Sequence, residues 1–165
     1  MVLRNGITQN VDVSVSGGGK NSKYYTSLSY TGQEGTLIGT DFKRISGKIS
    51  LDNDIAKWFR LYANLNYGYT KNNLTNGIYG QALTAPPVFA PFNEDGSYAA
   101  LGDLSSDYRG YQNPLAVAQG TNLAKDYLLK GSLAAEITFL RDFKFKSTVS
   151  VSYDAVSYTL LTLPT

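Results

Sequence analysis

The stretch Phe143-Lys144-Phe145-Lys146-Ser147-Thr148-Val149-Ser150-Val151-Ser152-Tyr153-Asp154 sorts its side chains into two sets. Phe143, Phe145, Ser147, Val149, Val151 and Tyr153 fall on one parity, and Lys144, Lys146, Thr148, Ser150, Ser152 and Asp154 on the other. Successive side chains of a strand point to opposite faces, so this segment has one apolar face and one polar face. It reads as a strand of about eleven residues, roughly twice the usual five or six of soluble domains. A tilted strand needs about 9–11 residues to cross a bilayer, and outer-membrane barrels alternate apolar-out with polar-in.

Five more segments repeat the pattern. Ile7, Val11, Val13 and Val15 alternate with Thr8, Asn10, Asp12, Ser14 and Ser16; Tyr24, Thr26, Leu28 and Tyr30 with Tyr25, Ser27, Ser29 and Thr31. Ile45, Gly47, Ile49 and Leu51 oppose Arg44, Ser46, Lys48 and Ser50, and Phe59, Leu61, Ala63, Leu65, Tyr67 and Tyr69 oppose Arg60, Tyr62, Asn64, Asn66, Gly68 and Thr70. In the last, Tyr127, Leu129, Leu133 and Ile137 stand against Lys130, Ser132, Glu136 and Thr138, blurred by Leu128 and Ala134. No helical period competes over these stretches. The expectation is an all-β antiparallel meander of about six long strands, near 7–16, 23–32, 42–53, 58–70, 126–139 and 143–154, forming part of a transmembrane β-barrel.

Connection lengths agree with that reading. Gly17 to Ser22, Asp54 to Trp58 and Leu140 to Asp142 are short. Gln33 to Asp41 is longer, and 71–125 is a long loop, expected outside the cell. Short and long connections alternate, as they must when odd turns lie on one side of a membrane and even loops on the other. So long a loop is uncommon inside a compact soluble domain. Within it, Gly77 to Ala85 is expected to form a short helix ended by Pro86-Pro87, since the residue before a proline is pushed out of the helical region. Aromatics gather near the short turns (Tyr24, Tyr25, Trp58, Phe59, Phe143, Phe145) and at the opposite strand ends (Tyr30, Tyr67, Tyr69, Tyr127, Tyr153). Two such girdles mark the bilayer interfaces of a barrel.

Composition narrows the function classes. The 165 residues contain no Cys and no His, which removes thiol catalysis, Ser-His-Asp catalysis and the usual zinc sites. A net charge of +2 without a dense basic run gives no argument for nucleic acid. No run of 18 apolar residues provides a transmembrane helix, and Met1-Val2-Leu3-Arg4-Asn5-Gly6 lacks the layout of a signal peptide. Gly17-Gly18-Gly19-Lys20 is close to a phosphate loop, but Ser14 and Asn21 stand where that motif needs Gly and Ser or Thr, so a turn is the better account. Asp95-Gly96 lacks the ligand series of a calcium loop and reads as a β-turn. Asp52 and Asp54, a carboxylate pair in principle fit for a glycosidase, fall at a strand end and a tight turn. No catalytic, cofactor-binding or metal site is assigned, and no enzyme is expected.

Candidate functional residues are therefore those of a wall and a loop. Arg44, Lys48, Arg60, Asn64, Asn66, Lys130 and Glu136 are candidates for a lumen face. Its basic members could contact a substrate or balance carboxylates on a neighbouring strand, and the second is the plainer account. Tyr79, Phe89, Tyr98, Tyr108, Tyr111 and Asn113 are candidates for an external substrate region. Two other functions fit a strand-rich chain: a soluble β-sandwich carbohydrate-binding module stacking exposed Tyr on sugars, and an extracellular adhesive β-protein. Strand length, alternating loop length and twin aromatic girdles favour the barrel over both.

An ordered series of segments carries a family resemblance: 16–30 (Ser16-Gly17-Gly18-Gly19-Lys20 through Tyr30), Gln33-Glu34-Gly35, Gly39-Thr40-Asp41-Phe42-Lys43-Arg44, Leu51-Asp52-Asn53, Trp58, Asn93-Glu94-Asp95-Gly96-Ser97-Tyr98, Asn113-Pro114-Leu115-Ala116 and the strand pair around Leu140. Over roughly 7–155 the chain resembles the barrel of SusC/RagA-type TonB-dependent outer-membrane transporters. The resemblance implies an energised importer of glycans or peptides in the cell outer membrane. Its implied partners are outer-membrane lipid, the rest of the barrel and its plug, a SusD-type lipoprotein lid and the TonB complex, reached through an amino-terminal part absent from this sequence. Six strands are far fewer than the about 22 of large outer-membrane transporters, so residues 1–155 are expected to be one segment of such a barrel. After Asp154 the family pattern stops, and 156–165 resembles translated sequencing-adapter read-through, a non-native tail.

Overall fold

A computed structural model describes residues 2–74, 77–140 and 143–161. Six strands run in chain order: β1 (Thr8–Gly18), β2 (Ser22–Glu34), β3 (Asp41–Ala56), β4 (Phe59–Asn73), β5 (Thr121–Phe139) and β6 (Phe143–Leu161). They form one six-stranded antiparallel sheet in the order β1-β2-β3-β4-β5-β6, a meander in which every strand pairs with its sequence neighbours. β1 and β6 are its two edges, so the sheet is an open sector of a barrel.

The strands exceed the sequence-based bounds at most ends. β5 begins at Thr121 instead of 126, and β6 is paired through Leu161 instead of stopping at 154. Ladder hydrogen bonds ignore side-chain identity, so pairing continues beyond the point where the alternating pattern fades. Along β6 the pattern changes sense: Val156 and Tyr158 take the parity of Asp154, and Ser157 and Thr159 that of Tyr153.

Register turns the six separate alternations into two continuous faces. Val13, Leu28, Gly47, Tyr67, Leu129 and Tyr153 stand side by side across the sheet, and the next row holds Val15, Thr26, Ile49, Leu65, Gly131 and Val151. Among the described residues this face has no second layer: Leu28 is 61%, Val149 65% and Val151 67% exposed. A stable sheet in water buries its apolar face against something. From the Tyr127 row to the Phe139 row the band measures roughly 40 Å along the strand at about 3.3 Å per residue. Tilted by 35–45°, it covers about 30 Å along the membrane normal, near the about 25 Å band of outer-membrane barrels.

The aromatic rows mark both rims. Tyr69 and Tyr127 pack with ring centroids 4.9 Å apart at the long-loop end, and Phe139 stacks on Phe143 at 5.7 Å at the short-turn end. Tyr24 lies across Gly17 of the neighbouring strand, filling the space its missing side chain leaves. Tyr25 departs from the expected girdle: it pairs with Ser16 and Ser50 on the polar face, beneath the Lys48 ammonium. Leu128 and Ala134, which blurred the pattern of β5, also have a local reason. Leu128 sits opposite Gly68 and occupies the room a side chain there would take, while Ala134 makes way for Tyr62.

Between β4 and β5 the long connection folds on itself. Helix α1 (Ile78–Thr84) ends before Pro86-Pro87 as expected, with Ala85 extended at ψ 125°. Two single 3-10 turns follow at Leu101–Asp103 and Ser106–Tyr108, then helix α2 (Pro114–Gln119). Asn113 caps α2 by accepting from the Leu115 amide, and Pro114 takes the first-turn position where its missing N–H costs nothing.

Candidate functional site

The polar face is a wall of short hydroxyl, amide and charged side chains. One row runs Ser14, Ser27, Lys48, Asn66, Lys130, Ser152, and the row beside it Ser16, Tyr25, Ser50, Asn64, Ser132, Ser150. A hydroxyl pair, Ser29 and Ser46, closes a hydrogen bond of 2.8 Å between strands. Arg44, Lys48, Arg60, Asn64, Asn66, Lys130 and Glu136 all carry the parity of this face.

Within the wall the charges separate into two groups. At the short-turn end Asp54, Arg60, Glu136 and Lys146 stand in one row of alternating sign. Arg60 donates to both carboxylate oxygens of Asp54, the second at 3.0 Å, and lies 3.8 Å from Asp52. Its third contact is the Tyr62 hydroxyl at 3.4 Å, and Lys146 stands 4.8 Å above the Tyr62 ring. Glu136 pairs with Lys144 at 3.7 Å. The fork-to-fork geometry of Arg60 and Asp54 holds both side chains in place. Arg60 and Glu136 thus balance charge within the wall, and the carboxylates Asp52 and Asp54 serve the same arginine. Further toward the long loop, Lys48 and Lys130 have only Ser and Asn neighbours in their row and form no ion pair among the described residues.

The loop supplies a second surface. Ile78 and Leu101 are fully buried in it and Ala118 nearly so. Asn113 is 5% exposed, and its amide donates to the Pro91 and Ala99 carbonyls at 2.7 and 3.0 Å. Both polar atoms of its side chain are engaged, so it organises the loop and presents nothing outward. Tyr79 and Tyr111 are exposed, while Phe89, Tyr98 and Tyr108 are half-buried, Tyr98 against Phe92. The turn at Asp95-Gly96 is of the bland kind expected. Gly96 has φ +83°, and Asp95 accepts from the Ser97 hydroxyl and amide at 2.6 and 2.9 Å, which holds its carboxyl below the usual range. Among the described residues no group of acidic side chains is arranged to hold a metal ion.

Comparison with known proteins agrees with this two-faced sheet and its long loop. The chain is 30% identical over 148 residues to TonB-dependent receptor P26 of Formosa agariphila, covering 88% of the chain and 14% of that receptor. It is 22% identical over 187 residues to TonB-dependent receptor SusC of Bacteroides thetaiotaomicron, covering 99% of the chain and 18% of SusC. The chain carries barrel strands of a SusC/RagA-type TonB-dependent receptor. The RagAB peptide importer in its closed-closed state has the same fold over 90% of the chain and 18% of its own, with a TM-score of 0.69 at 24% identity. No family model matches. These relatives are named as receptors and importers, and the receptor's place is the outer membrane. The chain spans less than a fifth of each relative's length, so what the whole receptor carries is a separate matter from the family of its wall.

Proposed function

We propose that these residues form part of the wall and external vestibule of an outer-membrane importer of glycans or peptides. The apolar face meets lipid, the polar face lines the lumen, and the loop between β4 and β5 contributes to the substrate region outside. The observation that carries this reading is the register: six strands place every apolar row on one face and every charged ion pair on the other. The RagAB importer is described as carrying peptides, which supports a peptide among the substrate classes. Lys48 and Lys130, free of carboxylate neighbours in their row, are the wall residues best placed to attract an acidic or hydroxyl-rich substrate. Tyr79 and Tyr111 present flat faces on which a sugar ring or an apolar side chain can stack.

Energised import would use partners outside this chain: the remaining strands and plug, a lipoprotein lid of the SusD type over the external loops, and the TonB complex. The segment itself has no catalytic role in this reading. The test is uptake by cells carrying the full-length receptor, with oligosaccharide and peptide pools followed by mass spectrometry. Loss of uptake in Tyr79→Ala/Tyr111→Ala receptors that still reach the outer membrane is the expected result. Unchanged uptake removes the loop from the substrate path, and turnover of a substrate without import overturns the transporter reading.

A further inference from the structure

On the outward face, one row beyond the tyrosine rim, stand Gln9, Gly32, Lys43, Lys71, Lys125 and Ser157. Lys43 is directly opposite Lys71, and Lys71 directly opposite Lys125. Directly opposed residues of an antiparallel pair stand about 4.5–5.5 Å apart, and like charges so placed are destabilising. Three ammonium groups on adjacent strands therefore lie within reach of one anion. None of the three forms an ion pair among the described residues.

The surroundings say which lysines carry the charge. Glu34 and Asp41 form the next row outward on β2 and β3 and temper Lys43, whereas Lys71 and Lys125 have Asn73 and Leu123 as the corresponding neighbours. Lys71 and Lys125 are half-buried, one row beyond Tyr69 and Tyr127, and a long lysine stem can lie along such an apolar rim while its ammonium reaches water. Tyr30 folds over Gly32, where a Cβ would stand 2.8 Å from its hydroxyl, so a phenolic O–H joins the row opposite Lys43. Lower on the same face, Gly47 leaves an apolar groove between Val13, Leu28, Ile49, Leu65 and Tyr67.

We propose that Lys71 and Lys125, flanked by Lys43 and the Tyr30 hydroxyl, bind the phosphate of an anionic lipid headgroup in the outer leaflet, with an acyl chain of that lipid in the groove at Gly47. This rests on the barrel reading, which puts the long-loop end of the strands outside. A lipid is favoured over free phosphate because the cationic row faces outward and sits immediately above the aromatic rim, with an apolar groove on the same face below that rim. The charge is complementary to a phosphorylated leaflet, and each lysine near such a surface strengthens attachment about fivefold.

The experiment uses the full-length receptor extracted from its own outer membrane. Native mass spectrometry reads the phosphorylated glycolipid retained per receptor, and heat-modifiable migration in gels reports separately whether the barrel has formed. Lys71→Gln/Lys125→Gln is expected to retain the lipid roughly 25-fold more weakly. Lys20→Gln/Lys57→Gln, which removes the same charge from the short turns at the opposite end, is expected to retain it as the parent does. Lys43→Arg/Lys71→Arg/Lys125→Arg keeps the cations and serves if the Gln variant does not assemble; it should keep the lipid. Equal retention by the Lys71/Lys125 Gln variant and the parent, equal binding of dephosphorylated lipid, or inorganic phosphate competing fully at the lipid's own concentration each overturns the proposal. A parent receptor that is never recovered as a heat-modifiable barrel overturns the underlying barrel reading instead.

Discussion

Leu65 and Asn64 are adjacent in β4 and opposite in fate, which makes them the sharpest single-residue probe of the sheet. Leu65 stands between Ile49 and Gly131 on the unlayered apolar face, Asn64 between Ser50 and Ser132 on the polar one. An arginine on the lipid side at the midplane costs about 2–4 kcal/mol, while a lumen position tolerates charge. Leu65→Arg in the full-length receptor should therefore lower the yield of folded barrel in the outer membrane, and Asn64→Arg should leave it near the parent level. Equal yields would reverse or abolish the assignment of faces. Asn113 makes a different prediction at the same scale. Its side chain bonds two loop carbonyls and the Leu115 amide from a buried position. The Pro91 carbonyl also accepts from the Ala99 amide, so Asn113→Ala strands two polar groups, the Ala99 carbonyl and the Leu115 amide. Each unsatisfied buried group costs about 1–3 kcal/mol. The variant should expose the loop to limited proteolysis while the strands remain protected, and cleavage no faster than in the parent would count against that organising role.

At the scale of elements, strand existence and facing were legible in the sequence because period-two alternation is a direct imprint of the environment on each side. Helix α1 was legible for a different reason, Pro86-Pro87 forbidding its continuation. What escaped was whatever depends on a partner strand or a distant segment. Leu128 breaks the pattern of β5 in the sequence, and only the register puts Gly68 opposite it; Tyr25 has the polar parity in the sequence, and the register adds its neighbours Ser16 and Ser50. Asn113-Pro114 carries the sequence signature of a helix start, and the buried Asn113 begins α2 instead of presenting substrate surface. The row Lys43, Lys71, Lys125 could not be seen at all, since only register aligns residues so far apart in the chain. The switch of parity after Asp154 supports the proposal that 156–165 is not native barrel, because Val156 and Tyr158 put apolar groups on the polar face. A further element-scale prediction concerns the loop. Its buried residues Ile78, Leu101 and Ala118 lie outside the strands, whose register is set pair by pair. Replacing 77–119 by a short Gly/Ser turn in the full-length receptor should leave barrel assembly intact and abolish substrate uptake. Loss of assembly would show that the loop also guides pairing of β4 with β5.

For the molecule as a whole, the decisive fact is that this sheet has two faces and two edges but no interior of its own. Val13, Leu28, Leu129, Val149 and Val151 are all more than two-fifths exposed, on a single face. The strand edges of β1 and β6 offer unpaired backbone groups on either side. In water such a face forms a large apolar patch, and open edges recruit other strands. In lipid the edges fare no better, since hydrocarbon satisfies no backbone N–H or C=O and spanning β-structure must close on itself, with bacterial barrels starting at about eight strands. These 165 residues expressed alone should therefore aggregate, or be recovered only in detergent, and should transport nothing. Sedimentation in detergent-free buffer checks this. A soluble monomer with a sharp, reversible thermal transition would mean that the apolar face is covered in some way the register does not show, and the carbohydrate-binding β-sandwich would then be the better account.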